Sequence, residues 1–364
     1  MKIAILTFFE SENYGTVLQA YATQRYLESL GHTAELIHLK RMVNGRSSHY
    51  ARVSKKSTLC EKIKYKLVCY TQKKNLKAKS KKFDEFRQQY LRVSRYYESA
   101  EALKKDLSGY DLFLSGGDQV WNPYHKVFSL HYMLDFLPDS AARISYGSSF
   151  GVAHIEDAAL LEQMKGCLSK YRAIGAREQS GVNIIQAMGI EATQVVDPVF
   201  LLKGKWEEFV TARPLKKKYC LVYALIEYPK AERDKIYAFA RKRGLQVVIL
   251  PFNRQNCLNG FKKGFGLSPK EFINYLANAE YVFTNSFHGL AFSILFQKQF
   301  ILLGCDSQEG LAKRERLIDA LNQFSIGDRS FADEDSEINY EAVNEIVENR
   351  LSDSKEYIHN AINI

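Results

Sequence analysis

The sequence predicts an α/β protein whose parallel sheets are covered on both faces and divided between two domains. Three observations carry this. Short apolar runs alternate along the chain with segments whose apolar residues recur at helical spacing. The 364 residues exceed the size at which one hydrophobic core keeps growing. Polar, glycine-bearing clusters fall where strands hand over to helices, the edge at which such folds meet ligands.

The first 40 residues read as a β-α-β unit. Lys2 to Phe9 is an apolar run suited to a buried strand. Tyr14 to Leu30 is helical, with Val17, Leu18, Tyr21, Tyr26 and Leu27 in phase and Gly31 as its stop. Ala34 to Leu39 is the second strand. A basic, helix-leaning insertion then runs from about 41 to 105. Strands follow at Tyr110 to Leu114, Arg143 to Tyr146, Ala173 to Ala176 and Gln194 to Val196, with helices at Ala159 to Tyr171 and Gln179 to Met188. Lys203 to Lys218 reads as a linker, placing an N-terminal domain at 1–205 and a C-terminal one at 206–364. In the second half the expected strands are Tyr219 to Leu225, Gln246 to Leu250, Tyr281 to Thr284 and Phe300 to Leu303. The expected helices are Ala231 to Arg243, Pro269 to Asn278, Leu290 to Phe296 and Leu311 to Leu321, with an acidic tail ending in a further helix.

Composition excludes several classes. Hydrophobic residues make up 46% and charged residues 25%, the profile of an ordinary globular protein. The six cysteines show no C-x-x-C pair and no zinc spacing, so free thiols in a reducing compartment are expected. The apolar start is too short for a signal peptide, and no run approaches the roughly 20 apolar residues of a bilayer span. A soluble, cytoplasmic protein is expected. The net charge of +10 is uneven: residues 40–105 hold 20 Lys/Arg against 5 Asp/Glu, an excess of 15, which leaves −5 for the rest. Such a patch suits an anionic partner, whether acidic lipid at the inner face of the membrane or a diphosphate-linked substrate, or else is a solvated helical face; of the partners, peripheral contact with an acidic membrane surface is the expectation. Nucleic acid is not, because no nucleic-acid motif accompanies the charge.

Five strand-to-helix turns carry the candidate chemistry. At Asn13-Tyr14-Gly15-Thr16 a capped helix start offers an anion site or simple capping. Ser115-Gly116-Gly117-Asp118 leads to Trp121 and Asn122, and this set suits a sugar face and hydroxyls. Ser149 lies in a small-residue turn. Arg177 begins a helix where a guanidinium can grip a carboxylate or phosphate with two parallel bonds, or form an ion pair with Glu178. His288, in Asn285-Ser286-Phe287-His288-Gly289, is placed for proton transfer or anion binding. Asp197-Pro198 closes a strand and is either a cleft residue or a turn. Asp333-Glu334-Asp335 has the D-x-D form of metal-dependent glycosyltransferases, but its acidic setting reads as solvated loop. No metal cluster is seen.

In this order, ENYGTVLQAYA, GYDLFLSGGDQVWNP, SYGSSFG, AIGAREQSG, VVDPVFLL and AEYVFTNSFHGLAFSILF resemble the polysaccharide pyruvyl transferase family. The resemblance runs from Met1 to about Leu321. It implies a GT-B-like fold, two Rossmann-like domains facing across a central cleft. It implies transfer of pyruvate from phosphoenolpyruvate to a sugar diol of a glycan or lipid-linked oligosaccharide, giving a cyclic ketal without a cofactor. Arg177 matches the donor-binding arginine and His288 the catalytic-site histidine. Many members carry an arginine where this chain has Ser286, so Arg316, Arg314 or a lysine is expected to compensate. Two alternatives stay open: a GT-B glycosyltransferase using a nucleotide-sugar donor, and a non-catalytic glycan-binding member.

Overall fold

Each short apolar run read as a strand is one, and among the described residues all the strand pairs are parallel. The computed structural model describes residues 1–40, 59, 63, 66–67, 70–71, 73–251, 262–263, 266–304, 314 and 317–363. They form two compact units, one drawn from 1–45, 87–203 and 344–364, the other from 46–86 and 204–343.

The first unit holds a seven-stranded sheet in the order β3-β2-β1-β4-β5-β6-β7. Its strands are β1 (Lys2–Leu6), β2 (Thr33–Leu39), β3 (Val93–Tyr97), β4 (Leu112–Gly116), β5 (Arg143–Ser148), β6 (Ala173–Ala176) and β7 (Thr193–Gln194). Central β1 is apolar without alternation because Ile3, Ala4, Ile5 and Leu6 are all buried, as a strand covered on both faces requires. Helix α1 (Tyr14–Ser29) is capped by Asn13 and stops at Leu30, after which Gly31 takes φ +87°. Two buried glutamines on α1 are explained by their partners. Gln24 donates to Ala34 O and Arg92 O and accepts from Arg92 N, which ties α1 to β2 and to the entry of β3.

Strand β3 corrects the expected extent of the basic insertion. Residues 93–97 pair with β2, Leu36 opposite Val93, and the short α3 (Ala100–Lys104) follows them. The charge of the segment hid an edge strand, where one side faces solvent and polar side chains are tolerated. The helical expectation holds for α2 (Lys73–Tyr90), whereas 41–58 lie outside the described residues.

The second unit holds a five-stranded sheet, β10-β9-β8-β11-β12. Its strands are β8 (Tyr219–Tyr223), β9 (Gln246–Leu250), β10 (Lys262–Lys263), β11 (Tyr281–Thr284) and β12 (Phe300–Leu302). Helices α4 (Ala158–Leu168), α5 (Gln179–Ala187) and α6 (Pro198–Leu201) belong to the first unit; α7 (Lys230–Lys242), α8 (Pro269–Ala277) and α9 (Phe287–Leu295) belong to the second. Of the helix expected over 311–321, residues 314 and 317–321 are described and helical. The expected linker is anchored: Trp206 and Phe209 are buried, and Phe86 of α2 packs edge-on to Phe209 at 6.1 Å. Lys82 adds a 2.8 Å ion pair to Glu271, so residues 73–86 group with the second unit. Cys167 and Cys220 are free and buried, while the other four cysteines lie outside the described residues.

The final helix, α10 (Tyr340–Asn363), departs from the expected division, since 344–364 group with the first unit. Val196 N donates to Ser354 Oγ at 3.0 Å, and Tyr357 OH donates to Ser145 O at 2.9 Å. Gly175 makes room for this: a Cβ there would stand 2.7 Å from the Tyr357 ring. Gly175→Ala is therefore expected to cost about 1–3 kcal/mol of stability by overpacking. Denaturant titration of Gly175→Ala, Tyr357→Ala and the double variant checks it, with the Gly175→Ala penalty shrinking once the ring is gone. Additive penalties would show that α10 does not press on β6.

Candidate active site

In an open parallel sheet, ligands gather at the carboxyl ends of the strands where the strand order reverses. The first unit reverses between β1 and β4, the second between β8 and β11. Asn13, Asp118 and His288 fall at these two places, whereas Ser149, Arg177 and Asp197 follow β5, β6 and β7 of the first sheet.

At the β1/β4 end, Asn13 Oδ1 accepts from Gly15 N at 3.0 Å, so its side chain serves as the cap of α1, with Tyr14 and Gly15 buried. Thr16 Oγ1 donates to Asp118 Oδ2 at 2.9 Å, joining α1 to the turn after β4. The two glycines of that turn are required by packing. A Cβ on Gly116 would strike Tyr146 O, and Gly117, at φ +90°, lies against the Gln19 side chain and Thr7 Oγ1. Gln19 in turn donates to Thr7 Oγ1, Phe8 O and Thr16 O. Sequence reasoning overlooked Thr7 and Gln19, although a glutamine in phase with a buried helix face is a signal that backbone groups await it.

Arg177 follows β6 and is 1% exposed. Its Nε donates to Glu178 Oε1 at 2.9 Å, Nη1 to Asp197 Oδ2 at 2.9 Å and Nη2 to Ser149 Oγ at 3.1 Å. Asp118 Oδ1 lies 3.7 Å from Nη1, and Ser149 Oγ donates to Glu178 Oε1 at 2.8 Å. Burial alone would lower the pKa of the guanidinium, but the carboxylates of Glu178, Asp197 and Asp118 outweigh it and hold the pKa raised. The expectation of a fork open to a donor is corrected here, because the protein's own carboxylates close it. Ser149 and Asp197 are likewise buried partners of Arg177 instead of ligand contacts, and Asp197 also caps α6 through Val199 N at 3.0 Å. Among the carboxylates of the cluster, Asp118 alone keeps appreciable exposure, 19%.

Trp121 and Asn122 are corrected as well. Trp121 is 0% exposed, donates from Nε1 to Ser115 Oγ and Tyr132 O, and meets Phe150 and Tyr171 edge to face. It has no open face for a sugar. Asn122 donates to Gln119 Oε1 and accepts from Tyr124 N at 3.0 Å, shaping the turn.

At the β8/β11 end, Asn285 works as a staple between the two strand ends. Its Oδ1 accepts from Leu225 N at 2.8 Å and its Nδ2 donates to Ile226 O at 3.1 Å. Ser286 caps α9, its Oγ accepting from Gly289 N at 3.4 Å. The helix begins three residues earlier than expected, which carries His288 into the first turn, buried, at the positive end of the helix dipole, and that turn contains no acidic residue. Gly289 lets that turn sit against β11 and β8, since a Cβ would strike Thr284 Oγ1 and approach Tyr223 to 3.0 Å. Ser286 brings no cation, and Arg314 is held by both oxygens of Asp328 at 2.7 and 2.8 Å. Arg316 lies outside the described residues. Asp335 of the D-x-D stretch pairs with Arg243 at 2.7 Å on the surface. Among the described residues no group of three or more His, Cys, Asp or Glu side chains is arranged to hold a metal ion.

A family model described as polysaccharide pyruvyl transferase matches residues 13–307. The fold is similar to that of UDP-GlcNAc 2-epimerase from Neisseria meningitidis bound to UDP-GlcNAc, with TM-score 0.53, 9% identity and coverage of 100% of this chain and 99% of that one. It is also similar to a putative UDP-N-acetylglucosamine 2-epimerase from Listeria monocytogenes, with TM-score 0.50, 9% identity and coverage of 96% and 91%. These likenesses bear out the GT-B-like α/β class. No curated protein matches the sequence.

The geometry of Arg177 predicts a stability phenotype. Arg177→Ala leaves buried carboxylates without their cation and is expected to cost about 3–5 kcal/mol. Arg177→Lys keeps the charge but loses the fork, so it is expected to fall between wild type and Arg177→Ala. Guanidinium-chloride unfolding of the three proteins is the check. Unchanged stability in Arg177→Lys would return the side chain to a ligand-contact role.

Proposed function

Since the chain belongs to the polysaccharide pyruvyl transferase family, we propose that it transfers pyruvate from phosphoenolpyruvate to a sugar diol of a glycan or lipid-linked oligosaccharide, releasing phosphate. The observation that carries this reading is the family match across residues 13–307, which takes in Asn13, Asp118, Arg177 and His288.

The chemistry needs a proton donor, anion-binding groups and exclusion of water. Protonation of the enol carbon C3 turns it into a methyl group and leaves C2 electrophilic. One sugar hydroxyl adds at C2, phosphate departs, and a second hydroxyl closes the ketal. Two hydroxyl protons are released; one balances the proton taken up at C3, and the other leaves with phosphate. In this reading His288 supplies the proton or contacts the departing phosphate, aided by the positive end of α9. Asp118, partly exposed and braced by Thr16 and Arg177, contacts the acceptor hydroxyl together with Asn13. Arg177 becomes a positioning residue that acts through Asp118. Phosphoenolpyruvate enters as a co-substrate, and no cofactor or metal is called for.

The test is phosphate release from phosphoenolpyruvate over a panel of galactosides, mannosides and N-acetylhexosamines, with mass spectrometry for the ketal. His288→Gln is expected to cut turnover by roughly 10²–10⁴-fold with little change in melting temperature. Asp118→Asn is expected to lower kcat/KM for the acceptor more than it raises the donor KM. No product on any acceptor, combined with stabilisation by a nucleotide sugar, would move the assignment to a nucleotide-sugar enzyme.

A further inference from the structure

Eight large apolar side chains are exposed among the described residues, and four of them fall between 59 and 70. Leu59 is 75% exposed, Ile63 59%, Leu67 61% and Tyr70 76%. All four are helical residues, and they stand four, four and three apart in the sequence, the repeat of a single helix face. A folded protein has no internal reason to line up an uncovered stripe of this kind.

The surroundings of the stripe indicate what covers it. From 59 to 83 the sequence holds nine lysines and one glutamate. Lys66, Lys73, Lys74 and Lys77 are exposed and pair with no carboxylate among the described residues. Protein interfaces are depleted in lysine, so this polar flank argues against a protein partner. An apolar stripe flanked by lysines is instead the pattern of a helix lying in a membrane interface: the apolar face enters the acyl boundary, and the ammonium groups reach anionic headgroups along their flexible stems. No described helix is long and apolar enough to cross a membrane, so the contact is peripheral.

We propose that Leu59, Ile63, Leu67 and Tyr70, with Lys66, Lys73, Lys74 and Lys77, dock the protein on an acidic lipid bilayer. This docking is independent of the proposed reaction, and a lipid-binding readout keeps the two separable.

Co-sedimentation of the full chain with phosphatidylcholine vesicles, and with vesicles that also contain phosphatidylglycerol, tests the proposal. Binding is expected only to the acidic vesicles and is expected to weaken as salt rises. Lys73→Glu and Lys74→Glu should each lower the partition coefficient by roughly fivefold or more. The double variant Ile63→Glu/Leu67→Glu should lower it by at least about tenfold, with melting temperature unchanged because both positions are exposed. Leu67→Trp should bind at least as well as wild type and shift its emission to the blue on the acidic vesicles, read over the two buried native tryptophans, Trp121 and Trp206. Equal binding to both vesicle types, no binding at low salt, or wild-type binding by the Ile63→Glu/Leu67→Glu variant would overturn the proposal. So would a dimer in lipid-free solution that this variant dissolves, since a second copy would then cover the stripe.

Discussion

A single buried guanidinium organises the carboxyl-end edge of the larger sheet. Arg177 sits just beyond β6, yet it holds Ser149 after β5, Asp118 after β4 and Asp197 after β7, with Glu178 completing the set. Strand ends in a parallel sheet are joined only by the ladder behind them, and the loops beyond diverge unless side chains connect them. Removing these charges from water is costly, and the cost is offset only when every charge meets a partner at short range. The cluster meets that condition with contacts of 2.9–3.1 Å from the guanidinium to three partners. Asp118 benefits most: it keeps partial access to solvent while Thr16 and Arg177 fix its direction.

Both units solve one local problem in the same way. Where the strand order reverses, two neighbouring strands send their chains to opposite sides, and the backbone groups that point into the gap lose their ladder partners. In the first unit Gln19 reaches from α1 to Thr7 and Phe8 O. In the second, Asn285 bridges Leu225 and Ile226 from the end of β11. Asn285 both donates and accepts, while Gln19 works through its Nε2 donor, so in each unit one amide side chain ties together the turn after a central strand. The turns beside them are thereby stiffened, as a reactive group at such a turn requires. Asp118 stands beside one and His288 beside the other.

The glycines of these turns act by fit. Gly116, Gly117 and Gly289 each occupy a place where a Cβ would collide with a neighbouring backbone oxygen or side chain. Their presence shows that chain segments approach closely there, and only Gly117 among the three also uses a positive φ. This separates them from a phosphate-cradling loop, in which glycine serves to bare its amides.

The alternation of apolar runs and helical segments was enough to determine the α/β class and ten of the twelve strands among the described residues, because a strand buried on both faces has no room for polar residues. The two exceptions, β3 and β10, are edge strands, and an edge need not be apolar. Order along the chain also located the strand-end turns, so Asp118, Arg177, Asp197 and His288 were legible as a set. Their roles were not. Trp121 and Arg177 look like ligand-binding residues in one dimension, and only the folded chain brings Phe150 and Tyr171 against the first and three carboxylates around the second. Which unit receives α10 was equally hidden, since the ring of Tyr357 finds Gly175 across a long stretch of sequence. Local pattern reports whether a residue will be buried; the company it keeps when buried depends on contacts distant in sequence, and tertiary structure alone decides those.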